Sequence, residues 1–510
     1  MDSVSVTGEQ DRPQSAASRR TAVNGGVYLA ITQVSRLILT TISAIVLARL
    51  LSPDDYGVVA MAAPVLSFIM MFQDLGLSAA TIQRPTVSQT QSAALFWINV
   101  SASVALALLL LAISPLVAWF YGDPRPAWIT AASGLVMLVT GIRLQHAALL
   151  DRDLRFGIAC ATEIVSALVT LIASLIAAYL MQSYWALFIG SLSGALVQTV
   201  MIWSASAFRP GWRPRWRGAG DMLRFGGHIT GFNLVNFFVR NADNVLIAKF
   251  AGASALGLYD RSYKLMMLPI HSINAPVSRL LLPLLSRLRD DPARYRRTYL
   301  LALRMVLLAS VPGIAIVTAL SDRVMPFLLG ERWAATAPIF FWLGLTGLVQ
   351  PVANLNGVLF MSAGRTKVMA QIGLASAFVT LIGFAIGLRW GAEGVAASLF
   401  VTVIIRLPFL FVLAARGTSV SALDLTRAQV EPLVGAGIAV AAALVLSPHL
   451  ELVPLLIVTI PLSYTLSLAS SSVTPDGREL TIAMLKIAGD VLRSVSAKLK
   501  RPAQPSPGTP

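Results

Sequence analysis

Apolar runs of about 20 residues, each long enough to cross ~30 Å of hydrocarbon, recur along nearly the whole of this 510-residue chain. A backbone in lipid must satisfy its own hydrogen bonds, so only helices and closed barrels span a membrane. Barrel strands alternate in polarity residue by residue, and these runs do not. The sequence therefore predicts an all-α polytopic membrane protein. Charged residues make up 13% of the chain, about half the share of a soluble domain. The polar N-terminus, MDSVSVTGEQDRPQSAASRR, has no apolar core beside its arginine pair. It does not read as a cleaved signal peptide, so the first apolar run is itself a span.

The runs parse into fourteen spanning helices between residues 24 and 471. With the N-terminus placed in the cytoplasm, most of the 40 Lys and Arg fall on the cytoplasmic side. One such segment holds Arg209, Arg213, Arg215, Arg217 and Arg224, and another Arg287, Arg289, Arg294, Arg296 and Arg297. The opposite side has scattered single cations such as Arg49, Arg125 and Lys249. This asymmetry predicts that both termini are cytoplasmic. The net charge of +16 is then a matter of topology, with membrane lipids rather than nucleic acid as partner. Trp212 and Trp216 between arginines read as interfacial anchors. Cys160 has no second cysteine to pair with and reads as a small packing residue.

The chain repeats itself. ARLLSPDDYGVV (48 to 59) lies over AKFAGASALGLY (248 to 259) at an offset of 200 without a gap. Ala48 meets Ala248, Arg49 meets Lys249, Gly57 meets Gly257, and upstream Gly26 meets Gly226. Each stretch joins the first helix of a group of six to the second. The expected layout is a disordered cytoplasmic N-terminus (1–23), an N-lobe of helices 1–6 (24–207), a basic cytoplasmic linker (208–227) and a C-lobe of helices 7–12 (228–414). Two extra helices (430–471), a cytoplasmic amphipathic helix (476–500) and a disordered tail (501–510) follow. Two lobes of equal orientation form a parallel repeat, whose transport site is expected at their interface near the midplane.

The words VLARLLSPDDYGVVAMA, DLGLSAATIQRP and NADNVLIAKFAGASALGLYDRSYKL resemble the Wzx-like polysaccharide flippases of the multidrug/oligosaccharidyl-lipid/polysaccharide exporter superfamily. LFWINV (95 to 100), FYGDP (120 to 124), ALLDRDLRFG (148 to 157) and LLGERWAATAP (329 to 338) extend the resemblance. It implies a transporter rather than an enzyme, working without a cofactor in a bacterial inner membrane. Its cargo would be undecaprenyl-pyrophosphate-linked sugar units for O-antigen, capsule or exopolysaccharide. The alternatives are a multidrug or cation antiporter of the same superfamily, and a polyprenyl-linked membrane glycosyltransferase or polymerase. The short outer loops argue against the enzyme, and no Gly-rich phosphate loop supports ATP hydrolysis.

FFVRNADNVLIAKF (237 to 250) carries Arg240, Asn241, Asp243 and Asn244 in mid-span. Asn233, Asn236, Arg240 and Asn244 share a helix face, with Asp243 in pairing reach of Arg240. In the first helix, Tyr28, Thr32, Arg36, Thr40 and Ser43 make a matching stripe. A lone mid-membrane Arg costs ~2.5–3.5 kcal/mol on insertion scales, and a lipid-linked sugar needs such a surface: Arg for pyrophosphate, amides and hydroxyls for sugar. Arg36, Arg240, Asn236, Asn244, Arg279 and Arg406 are the substrate-binding candidates. An Arg240–Asp243 structural pair is the other reading, and snorkelling to headgroups is the plain account of Arg279 and Arg304. Asp74, Glu163 and Asp243 are candidates for ion coupling, with helix–helix contact as the alternative for Asp74 and Glu163. Pro269, Pro276 and Pro351 are candidate hinges, with simple packing kinks as the other reading. Asp54 and Asp55 read as acids capping a helix start. No histidine spacing suits a metal. The tail helix would lie on the cytoplasmic leaflet, with docking to polysaccharide polymerase or export machinery as its alternative.

Overall fold

A computed structural model describes residues 32–74, 76–83, 87–211, 219–475, 477–479 and 481–482, with 80, 83 and 219–240 described by their backbone alone. Tyr28, Trp212, Trp216 and nearly all of the tail helix at 476–500 lie outside the described residues. No strand occurs among the described residues, and eleven of the described helices are long and apolar enough to cross a membrane.

In chain order the helices are α1 (Thr32–Leu50), α2 (Pro53–Met70), α3 (Leu77–Gln83), α4 (Gln89–Tyr121), α5 (Arg125–Arg152), α6 (Phe156–Met181), α7 (Trp185–Ala205) and α8 (Ala219–Arg287). They continue with α9 (Pro292–Ala319), α10 (Ser321–Leu329), α11 (Thr336–Ser362), α12 (Thr366–Gly387), α13 (Gly391–Ala415), α14 (Ala422–Leu446) and α15 (Leu452–Ser471). Packing divides the chain into two units. The first comprises residues 1–261 together with 325–336 and 384–395, and the second holds the remainder.

The first unit packs through small residues. α4 and α5 form a hairpin in which Gly134 lies against Ala107 and Gly141 against Ser103. α6 and α7 repeat the device, with Gly190 against Ser174 and Gly194 against Thr170. In lipid no hydrophobic force joins helices, so close approach over glycine supplies the attraction. Cys160 is buried in α6, where the sequence reading put a packing residue. The apolar run at 57–80, which reads in the sequence as one span, folds as two helices. α2 ends at Met70, and the chain resumes as α3 after Gly76, whose φ of 70° suits glycine. Asp74 caps the new start, its Oδ1 accepting from the Ser78 amide at 3.2 Å and hydroxyl at 2.5 Å.

α8 is broken at one residue. Gly252 has φ 84° and ψ −179°, conformations open to glycine. The Tyr259 hydroxyl donates to Asp243 Oδ2 at 2.9 Å across this break. A straight helix would separate residues 243 and 259 by ~24 Å, so the two arms fold back on each other. The joint that the repeat places at 248–259 is made by one glycine inside a single helical run.

The second unit is centred on α9 and α14, which run parallel and are joined at two levels, with Arg323 of α10 adding a third tie. Arg296 pairs with Asp424 at 2.7 Å. Arg304 pairs with Glu431 at 3.0 and 3.1 Å, both side chains being under 10% exposed. Arg323 donates to the Ser447 carbonyl at 2.7 Å and the Leu450 carbonyl at 3.0 Å, past the end of α14. The Thr474 hydroxyl also donates to Glu431. Arg304 therefore does not snorkel: its charge is met inside the protein. α15 fastens to the same core, Ser463 donating to the Pro312 carbonyl and Ser467 to the Pro432 carbonyl.

Candidate functional site

α1 is amphipathic in a membrane sense. Val34, Ile38, Ile42 and Val46 form an exposed apolar edge, the surface a lipid would cover. Thr32, Arg36, Thr40 and Ser43 lie roughly opposite at 3.6 residues per turn. Arg36 is exposed and makes no hydrogen bond or ion pair with the described residues.

The matching stripe lies on the first arm of α8. Arg240 and Asn236 are described there by backbone alone, so pairing of Arg240 with Asp243 lies outside the described residues. Asp243 is buried, held by Tyr259 and by the Asn244 amide at 2.9 Å. Asn244 is half-buried beside it. The Asp243 carboxylate thus braces the fold-back of α8, a role visible only once the break at Gly252 brings Tyr259 near.

Beyond these stripes the first unit is closed by backbone contact. A methyl group added at Gly57 would overlap the Ala253 carbonyl, and one added at Gly257 would overlap the Pro53 carbonyl. At the offset of 200, Gly57 corresponds to Gly257 and Pro53 to Ala253, so the contact is reciprocal. The two repeated stretches pack on each other about a local two-fold axis. α2 starts here with Pro53 at its first turn and a capping box between Ser52 and Asp55. Asp55 Oδ1 also accepts from the Tyr184 amide at 2.9 Å, and Asp54 pairs with Arg125. Both acids serve helix ends, as the sequence suggested.

Aromatic residues seal the same end. Trp333 is fully buried and donates from Nε1 to the Ala48 carbonyl at 2.7 Å. Its ring meets Tyr56 edge-on at 5.4 Å. The Arg261 guanidinium covers the Tyr56 ring at 3.7 Å, a cation–π contact. Arg49 donates to the Phe327 carbonyl at 2.6 Å, placing a cation at the C-terminus of α10, where the helix dipole favours it. None of Tyr56, Trp333 or Arg261 was singled out from sequence. The repeat alignment did flag Gly57 and Gly257, without saying that they touch.

The remaining candidates stand apart. Arg406 lies in the second unit, its Nη1 donating to the Ser376 carbonyl and the Thr380 hydroxyl, both at 3.0 Å. Arg279 and Glu163 are exposed on α8 and α6. Pro269 and Pro276 sit in the second arm of α8 without disturbing its helical dihedrals, and Pro351 is buried within α11. Asn274 on the second arm of α8 is buried with its amide unpartnered among the described residues.

The polysaccharide biosynthesis protein family model matches residues 46–338, more than half of the chain. Lipopolysaccharide biosynthesis protein WzxC of Escherichia coli (strain K12) is 23% identical over 391 residues, 76% of this chain and 80% of WzxC. Teichuronic acid biosynthesis protein TuaB of Bacillus subtilis (strain 168) is 28% identical over 302 residues, 58% of this chain, and the match spans 62% of TuaB's length. Among solved structures, lipid II flippase MurJ in an inward closed conformation superposes with a TM-score of 0.67 at 13% identity, over 88% of this chain and 98% of MurJ. An inward-facing multidrug resistance MATE family transporter of the MOP superfamily gives 0.55 at 12% identity, over 76% and 98%. The fold is therefore that of a multi-pass membrane transporter. With it and the matched sequence together, the chain belongs to the polysaccharide biosynthesis protein family, the Wzx-like kinship that its sequence words announced.

Proposed function

We propose that this protein moves undecaprenyl-pyrophosphate-linked oligosaccharide units from the cytoplasmic to the outer leaflet of a bacterial inner membrane. The product feeds O-antigen, capsule or exopolysaccharide assembly, and no covalent chemistry is done on the cargo. The observation that carries this reading is Arg36. It is an exposed cation without a described partner, in the early turns of the described part of spanning helix α1, on the face opposite the apolar edge. Its cost in lipid, ~2.5–3.5 kcal/mol on insertion scales, is tolerable where an anion or water meets it. A pyrophosphate head supplies that anion through bidentate hydrogen bonds. Arg240, Asn236 and Asn244 form the second half of this polar path, and Arg279 captures the incoming head.

The sealed end supports alternating access. With both termini cytoplasmic, the α1–α2 turn faces outward, so the Gly57–Gly257 contact shuts the path toward the outside while cargo loads from within. Movement of the prolines in α8 and α11 accompanies opening, and Asp74, Glu163 and Asp243 are the carboxylates available for ion coupling. Membrane lipids and the polysaccharide polymerase or export machinery are the surrounding partners.

The test is mass spectrometry of lipid-linked sugars in a deletion strain, with complementation by wild type and by the double variant Arg36→Gln, Arg240→Gln. The expected result is build-up of one undecaprenyl-pyrophosphate glycan and loss of a surface polymer, reversed by wild type alone. An unchanged lipid pool and intact surface in the deletion strain would move the multidrug antiporter into first place. Full rescue by the double variant at normal protein level would refute the path drawn through α1 and α8.

A further inference from the structure

The second unit contains a cavity of about 470 Å³ between α11, α12 and α13. Its walls are apolar except for Arg406, Gln350 and Ser376. Two of the wall residues are Gly357 and Gly373, and a Cβ built at either meets no atom within 4 Å. The missing side chains leave space that the fold does not fill. Phe409, 68% exposed, and Ile405, 56% exposed, also line the cavity. Such large exposed apolar groups face lipid, so the cavity opens sideways to the bilayer.

Arg406 is unusually deep. Its guanidinium bonds to Ser376 and Thr380 of α12, which lie ~15 and ~21 Å along that helix from Thr366. In a core ~30 Å thick this is near the midplane. The side chain does not lean toward Ala415, the nearer end of its own helix, so snorkelling does not explain it. Its Nε is buried without a hydrogen-bond partner among the described residues, and no carboxylate pairs with it there. An uncompensated cation at this depth calls for an anion.

We infer that this cavity is a lateral site for the phosphate of a polyprenyl carrier lipid, with Arg406 and Gln350 holding the phosphate and the apolar wall holding the first part of the chain. A glycerophospholipid at rest keeps its phosphate at the interface. A phosphate held beside Arg406 has left that interface, as the phosphate of a lipid in transit does. The choice of carrier lipid rests on the transport reading above. Anion binding by the cavity does not, because it is read on purified protein without transport. The site lies wholly within the second unit, and it gives Arg406 a different task from Arg36.

The experiment uses the full chain purified in neutral detergent. Undecaprenyl phosphate, dioleoylphosphatidylglycerol and dioleoylphosphatidylcholine are titrated and bound lipid is counted by native mass spectrometry. A photoreactive polyprenyl phosphate maps contacts on the wild-type protein. Undecaprenyl phosphate is expected to bind most tightly and to crosslink within 350–357, 369–379 or 403–413. Arg406→Gln should weaken it about tenfold or more, Arg406→Lys should weaken it less, and Gly373→Leu should block it by filling space while leaving the cation in place. Crosslinks elsewhere on the wild type, or equal binding by wild type, Arg406→Gln and Gly373→Leu, would overturn the site. Phosphatidylglycerol binding as tightly as undecaprenyl phosphate would overturn its assignment to a carrier lipid. Retained binding together with an unchanged lipid pool in the deletion strain would count against the transport reading alone.

Discussion

Two helix contacts in this molecule are built on opposite chemistry. At the sealed end of the first unit, α2 and the second arm of α8 meet through Gly57 and Gly257, backbone on backbone, without a charge between the glycines. In the second unit, α9 and α14 are joined by Arg296–Asp424 and the buried Arg304–Glu431 pair, and Arg323 of α10 holds the carbonyls that follow α14. Separating α9 from α14 would expose two opposite charges to hydrocarbon, which is prohibitive. Separating two glycines forfeits dispersion contact and little else. The first kind of contact suits a joint that opens in every cycle, and the second suits a frame that never does. Charge fixes the contact between α9 and α14, and the contact of Gly57 with Gly257 is the one that the proposed transport cycle would part.

Breaking the frame should have the largest effect. Glu431→Gln leaves Arg304 buried without its counter-ion, a loss of about 3–5 kcal/mol. It should lower the thermal midpoint in detergent sharply, while replacing both partners with Leu and Met should recover much of it. If the single and double variants melt alike, the pair is not what fixes α14 to α9.

Forcing the joint should cost less and read out differently. Gly57→Val places two methyl groups against the Ala253 carbonyl, an overpacking of about 1–3 kcal/mol that separation relieves. In a Cys160→Ser background, Ala253→Cys should label slowly with a membrane-impermeant maleimide. Adding Gly57→Val should raise that rate severalfold with little change in melting. An unchanged labelling rate would mean that the glycine contact does not hold this end shut.

The smallest effect concerns the surface at the same end. Burial raises the Asp123 carboxyl, but the hydrogen bonds and charge of Arg125 outweigh it, so Asp123 sits below its ordinary value of 3.8. A depressed carboxylate contributes stability above that value and loses it as pH falls through the lower native one. Asp123→Asn should lower the melting temperature slightly at neutral pH, and the gap from wild type should close as pH falls through the native value.

The spans were legible because lipid demands apolar length, and the repeat because Gly57 and Gly257 fall at one offset. Helix ends were readable where local chemistry sets them, as Ser52 and Asp55 do for α2. What stayed hidden depends on distance along the chain. Glu431 lies 127 residues from Arg304, and nothing near Arg304 announces a partner. Tyr259 comes within reach of Asp243 through the single positive φ at Gly252, which the sequence offered as one glycine among many. Trp333 belonged to a recognised word, yet its burial against Ala48 and Tyr56 needed the fold. The depth of Arg406 was visible, but the empty space beside Gly357 and Gly373 was not.

The reciprocity of the glycine contact bears on how a chain of this length could arise. When residue 57 of one repeat touches residue 253 of the other, and residue 257 touches residue 53, the contact is isologous, as in a two-fold dimer. Two copies of one half-length ancestor could have met in this same way, each offering the same short stretch to the other. Duplication and fusion would then have joined an existing pair end to end. On that account the seal is older than the linker, and the two halves were partners before they were neighbours in one gene.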